Sequence, residues 1–133
     1  MLDTMLDQFI KGYIACMLWS TNDDNEDPLD ANYSKDDIAE EAMKKIVKDC
    51  RDFYEHNQAE LIIYCMEVTE GDGNHWGTAG HDFWVTRAGH GCGYWDRDGV
   101  NENTATLLTD AARAVGDPEP YVGDDNKIYF CQM

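Results

Sequence analysis

At 133 residues the chain has room for one hydrophobic core and not for two. Hydrophobic residues make up 43% and charged residues 28%, close to globular averages, which argues against disorder throughout. Twenty-seven Asp and Glu against ten Lys and Arg give a formal net charge of −17, a field that repels phosphate backbones and disfavours direct binding of nucleic acid.

The first predicted element is a helix over residues 4–19. Met5, Leu6, Phe9, Ile10, Tyr13, Ile14 and Met17 recur at three- and four-residue steps, with Asp3 or Thr4 as cap. From Ser20 to Tyr33 the chain is polar and without hydrophobic period, and reads as a loop. A second helix begins near Ser34–Asp37, where Ser34 can cap and Asp36, Asp37, Glu40 and Glu41 suit the positive end of the helix dipole. Its stripe runs through Ile38, Ala42, Met43, Ile46, Val47, Cys50, Phe53 and Tyr54. The run Leu61-Ile62-Ile63-Tyr64 fits a helix end or a buried strand, and is assigned to helix.

Residues 79–97 read as a β-hairpin, two β-rich runs joined at Ala88-Gly89. That register sets Phe83 opposite Tyr94 and Val85 opposite Cys92 on one side, and Trp84 opposite Gly93 and Thr86 opposite Gly91 on the other, so that the indole can lie flat across the neighbouring strand. A third helix starts at Asn103 or Thr104 and stops at Gly116 and Pro118. A closing hairpin uses residues 119–122 and 127–131. The expected fold class is α+β: three helices packed on a small antiparallel sheet made of two β-hairpins, in a single domain 1–133. Residues 1–66 are mostly helical in this reading, and residues 75–133 form hairpin, helix and hairpin.

The hairpin carries the residues closest to catalytic chemistry. His81 would stand near Asp96 and could be oriented by it as a general base, with His90 beside the turn near Arg87. His81, His90 and Asp96 are therefore the catalytic candidates, although no Ser or Cys nucleophile is fixed near them. His75 and Asp82 are the obvious additions to a metal set, but the two hairpin histidines are too far apart to share one ion. Neither metal nor cofactor is expected. Asp23, Asn25 and Asp27 open like a calcium loop, yet Pro28 stands where glycine is needed and Ser34 where the bidentate Glu belongs. Pairing with carboxylates or backbone is the plainer role for the histidines.

The five cysteines are odd in number, widely spaced and without a CxxC pair, which favours buried thiols in a reducing compartment over disulfides or a zinc site. The N-terminus lacks the basic flank and apolar run of a signal peptide, and no apolar stretch approaches the roughly 18 residues of a membrane span. A cytoplasmic location is expected.

The run His81-Asp82-Phe83-Trp84-Val85-Thr86-Arg87-Ala88-Gly89-His90-Gly91-Cys92-Gly93-Tyr94-Trp95-Asp96-Arg97 resembles the H-D-F-W-x-T-R-x-G-H-G-x-G-F/Y-W-D-R signature of a family of small phage-encoded proteins. The resemblance extends to Phe9–Tyr13, Leu29–Tyr33 and Tyr121–Asp125, and so covers most of the chain. Ala88 departs from it, since the family often has Asn before the turn glycine. The resemblance implies a phage origin and a host-cell cytoplasmic setting, without a mechanism.

The acid excess is spread along the chain. Residues 1–60 hold fifteen acids and six bases, and residues 61–133 twelve and four, so there is no acidic tail. The expected function follows from this. A phage accessory protein of this charge would act as a non-catalytic inhibitor of host nucleic-acid machinery, a DNA mimic of anti-defence or anti-CRISPR type. It would occupy the basic groove of a host protein through Asp23, Asp24, Glu26, Asp27, Asp36, Asp37, Glu40 and Glu41. A small metal- or nucleotide-dependent enzyme built on the His/Asp hairpin is the alternative, as is a structural homo-oligomer covering Trp84 and Trp95.

Overall fold

The computed structural model describes residues 3–69, 73–89 and 93–132. Helix α1 (Asp3–Ser20) lies where the hydrophobic period places it and buries Leu6, Phe9, Tyr13, Ile14, Met17 and Leu18. The following loop is closed by backbone bonds from Asp23 to Asp27 and from Leu29 to Thr21. It ends in the single turn α2 (Leu29–Asn32), whose Leu29 is buried.

The second expected helix is divided. Ser34 caps a 3-10 turn over Lys35–Asp37 in a reciprocal capping box, with the Asp37 carboxylate accepting from the Ser34 N–H at 2.9 Å. Ile38 and Ala39 are then extended before α3 (Glu40–His56) begins. The buried face of α3 is Ala42, Ile46, Cys50, Phe53 and Tyr54. Asn57 ends it, and α4 (Gln58–Glu67) follows at once with Leu61 and Tyr64 inward.

The fold-class expectation is overturned at residues 75–88. This segment is helix α5 (His75–Ala88), not the first strand of a hairpin. The Asn74 side chain caps it by accepting from Gly77 N–H at 3.1 Å. Gly89, read as a turn residue, does end the segment, but as a left-handed helix cap at φ 81°. Two physical reasons explain the misreading. Helix α5 is buried on nearly every side, from Ala79 and Gly80 through Asp82 to Arg87, so no 3.6-residue stripe is written into it. Its glycines serve close packing. A Cβ on Gly80 would sit 1.9 Å from the Phe9 carbonyl oxygen, and one on Gly12 would sit 2.0 Å from that of Gly77, so the α1 and α5 backbones touch.

Beyond residue 93 the expected second strand is a 3-10 turn, Tyr94–Asp96. Helix α6 (Glu102–Val115) is capped by Asn101, and strands β1 (Pro120–Val122) and β2 (Ile128–Phe130) pair antiparallel with Tyr121 opposite Tyr129. Ile38 bridges to Ile128 in parallel. The architecture is therefore predominantly helical with one two-stranded ribbon, in place of three helices on two hairpins. Trp84 lies in the core against the edge of Tyr13, with centroids 5.3 Å apart, and not across Gly93 on a neighbouring strand. Phe53 stacks on Phe83 at 4.1 Å and Phe9 joins them. Among the described residues no helix is long and apolar enough to cross a membrane.

Candidate functional site

Two places in the fold carry chemistry. The first is an acidic flank. In the loop after α1 the Asp23 carboxylate accepts from the Asn25 N–H at 2.8 Å and the Asp27 N–H at 3.1 Å. Glu26 takes a left-handed backbone at φ 64°. Asp24, Glu26 and Asp27 project into solvent from this tied frame.

The return path through α2 runs back along α1, because Asp30, Tyr33, Ser34 and Lys35 share a groove with Lys11, Ile14, Ala15 and Leu18. The exposed Asp36 and the half-buried Asp37 follow, and Glu40 and Glu41 open α3. Among the described residues no ion pair involves Asp23, Asp24, Glu26, Asp27, Glu40 or Glu41. Asp36 has a long contact to Lys35 at 3.9 Å. Glu41 also bears on the closing ribbon. The Tyr129 hydroxyl, donating to Asp125 at 2.6 Å, is pushed up to about 12 by that bond, with burial, Asp125 and Glu41 adding to it. The turn acids of the ribbon thus stand near those of α3.

The second place is the α1–α5 groove. Its walls are two helical stripes of matching period: Gly12, Ala15, Cys16 and Trp19 on α1, and Asn74, Gly77, Thr78 and His81 on α5. Arg97 closes the groove, and its volume is about 520 Å³. The fully buried Asp82 lies behind His81. Its Oδ1 receives His81 Nδ1 at 3.0 Å and Arg97 Nη2 at 2.7 Å, while Oδ2 receives Arg97 Nε at 2.9 Å and the Tyr64 hydroxyl. This bidentate ion pair with a third donor is what keeps a buried carboxylate satisfied. Burial, together with the neighbouring Asp82 charge, drives the Tyr64 hydroxyl well above its ordinary range. Cys16 beside it is pushed up to about 12 by burial, so at neutral pH it is a thiol and no nucleophile.

A second buried cation, Arg87, donates to the Gly116 carbonyl at 2.6 Å, Tyr13 Oη at 2.9 Å and Asp49 at 3.0 Å. Lys45 reaches the same Asp49 carboxylate at 3.2 Å. This cluster ties α1, α3, α5 and the end of α6 together.

The sequence-based candidates fare unequally. His81 does meet a carboxylate, but Asp82 and not Asp96, which is exposed on the 3-10 turn. The expected His81–Asp96 pair depended on a hairpin register that does not exist. His90 lies outside the described residues, as do Gly91 and Cys92. His75 bonds the Cys65 carbonyl at 2.8 Å through Nδ1, and among the described residues no three His, Cys, Asp or Glu side chains are placed to hold a metal ion. Of the expected buried thiols, Cys16 and Cys50 are buried, Cys65 is half-buried and Cys131 is exposed.

Sequence reasoning passed over Tyr64, Asp49 and Arg97 as partners. The three lie on separate parts of the chain, in α4, in α3 and just after the 3-10 turn, so no local spacing marked them as partners. No family model, curated protein or solved structure matches the chain. Function must be argued from the geometry alone.

Proposed function

We propose that the chain is a phage-borne accessory protein that inhibits host nucleic-acid-acting machinery without catalysis, by presenting carboxylates to a basic groove. The observation that carries this reading is the tied acidic loop. Asp23–Asp27 is held by its own hydrogen bonds, so its charges are presented in a fixed frame and little ordering entropy is lost on binding. Support also comes from the absence of any ion pair, among the described residues, at seven of the eight proposed contact carboxylates, Asp36 alone having one. A host effector of anti-phage defence, such as a restriction nuclease or a guide-RNA complex, has the basic groove this surface would fill.

The experiment is a cleavage assay on purified restriction nucleases and guide-RNA effector complexes titrated with the protein. Inhibition should weaken steeply with salt and be relieved by duplex DNA. A variant with Asp23→Asn, Asp24→Asn, Glu26→Gln and Asp27→Asn should lose at least about tenfold in potency, equivalent to roughly 1.4 kcal/mol. Inhibition that ignores salt, or a variant as potent as the parent, overturns the reading.

A second reading is favoured by one observation: His81 is oriented by a buried carboxylate in a groove that no Asp or Glu side chain lines. With Nδ1 engaged, Nε2 is the atom left to exchange a proton with a small ligand, as in a general base. Thr78 and His81 on the groove wall suit a small polar ligand such as a nucleotide. Titration of labelled protein with nucleoside monophosphates should then shift the His81 ring resonances, and His81→Ala should abolish saturation-transfer signals from the ligand. Unperturbed His81 resonances at millimolar nucleotide sink this reading.

A further inference from the structure

We infer that the outer face of α4 is a docking site for a basic amphipathic helix of a partner protein. Helix α4 carries two apolar stripes. Leu61 and Tyr64 face the core, and Val68 continues the same line beyond the helix end. Ala59, Ile62, Ile63 and Met66, at steps of three, one and three, form a second stripe that faces water. Met66 is 78% exposed, Ile62 44% and Ile63 39%.

One isolated surface apolar residue needs no account, but a contiguous helical stripe of them marks a binding face. The spacing is the i, i+3, i+4, i+7 pattern by which two helices interlock. At ~1.5 Å per residue the stripe is about 10 Å long, two turns of a partner helix.

Charge selects the occupant. Helix α4 carries Glu60 and Glu67 and no Lys or Arg. Both glutamates are half-buried, and the exposed Glu55 stands in the last turn of α3, ahead of the Asn57 break. A second copy of a chain with net charge −17 would bring like charge against like, and an anionic membrane or a nucleic acid is repelled in the same way. A helix with apolar residues on one face and lysines or arginines on the other satisfies both the stripe and the field. Met66 adds an unbranched, adaptable side chain of the kind that fits varied partners. This deepens the inhibitor reading by giving the partner an apolar anchor as well as an acidic surface.

The test uses a fluorescent model peptide of about 20 residues, with leucines at i, i+3, i+4, i+7 and lysines elsewhere. Its binding to the full chain is followed by anisotropy. Two controls accompany it: a scrambled peptide of the same composition, and one with glutamate for lysine. The basic amphipathic peptide should bind at least tenfold tighter than either control. Ile62→Ser with Met66→Ser should weaken it at least tenfold with an unchanged circular dichroism spectrum, whereas the Asp23–Asp27 loop variant should weaken it less than threefold. Equal binding of the scrambled peptide, an unaffected double variant, or self-association that the double variant abolishes overturns the proposal. The failures separate: peptide binding without inhibition of any nuclease removes only the inhibitor reading. Inhibition that survives the double variant in a protein that ignores the peptide removes only this one.

Discussion

At the residue scale the protein is organised by two arginine–carboxylate pairs, each with one buried member, Asp82 in one and Arg87 in the other. Asp82 holds Arg97 and His81 at the α1–α5 groove, and Asp49 holds Arg87 below it. Removing Asp49 would leave the buried Arg87 guanidinium without this carboxylate, which costs about 3–5 kcal/mol. Around these pairs lie protonated phenols and thiols. Burial raises Tyr13, Tyr64 and Tyr94 above their ordinary range and Cys50 likewise, and takes Cys16 and Cys65 up to about 12. In the unfolded chain thiols ionise near pH 8.5. The unfolded state therefore loses protons first as pH rises, and the stability these groups contribute is present below that pH and lost towards 12. Unfolding free energies from urea titration should be level from pH 7 to 8 and then fall, by about 1.4 kcal/mol per pH unit for each of the buried thiols Cys16 and Cys50. Cys16→Ala should reduce the slope above pH 9 by one proton. A flat profile up to pH 11 contradicts this account.

At the element scale α5 is the unit on which the rest is hung. It packs along α1 through backbone contact at Gly12, Gly77 and Gly80, and its aromatic side chains fill the centre. Gly80→Ala places a methyl carbon 1.9 Å from the Phe9 carbonyl oxygen. Because that neighbour is backbone, the helices must separate, and the expected loss is about 3 kcal/mol, read from equilibrium urea unfolding. Gly89→Ala strains only the left-handed cap, with open space around the new carbon. Its cost should be about 1 kcal/mol. Equal effects at the two positions would mean that conformational freedom, and not close approach, explains both. The outer elements were legible because they are one-sided. Helices α1, α3 and α6 each show water on one face, so the period that Phe9, Tyr13 and Met17 or Ile46, Cys50 and Phe53 write into the sequence survives. Helix α5, surrounded by protein, shows none.

At the scale of the whole molecule charge dominates. Three surface or half-buried i, i+4 pairs, Lys11–Asp7, Lys45–Asp49 and Lys48–Asp52, contribute little, because water and salt screen them. Against them stands the self-repulsion of seventeen uncompensated charges. Screening weakens both, and the repulsion is the larger. Stability should therefore rise as salt increases from about 0.05 to 0.5 M, where the Debye length falls below roughly 5 Å. A falling urea midpoint over that range would show that the ion pairs prevail. The same salt series applied to nuclease inhibition should move the other way, because attraction to a basic groove is screened as well.

Helix α6 is capped by Asn101 and not by Asn103 or Thr104, but the sequence by itself determined the charge, the helical period of α1, α3 and α6, the closing ribbon, and the capping residue Ser34. All of these are local, or are sums over residues. The tertiary structure decided that His75–Ala88 is a helix, that His81 answers to Asp82 and not to Asp96, and that α4 leaves a second apolar stripe outside. Each of these depends on which neighbours surround a segment. A buried helix, a buried ion pair and an uncovered face are all defined by contacts between residues far apart in the chain, and no spacing along the sequence records them.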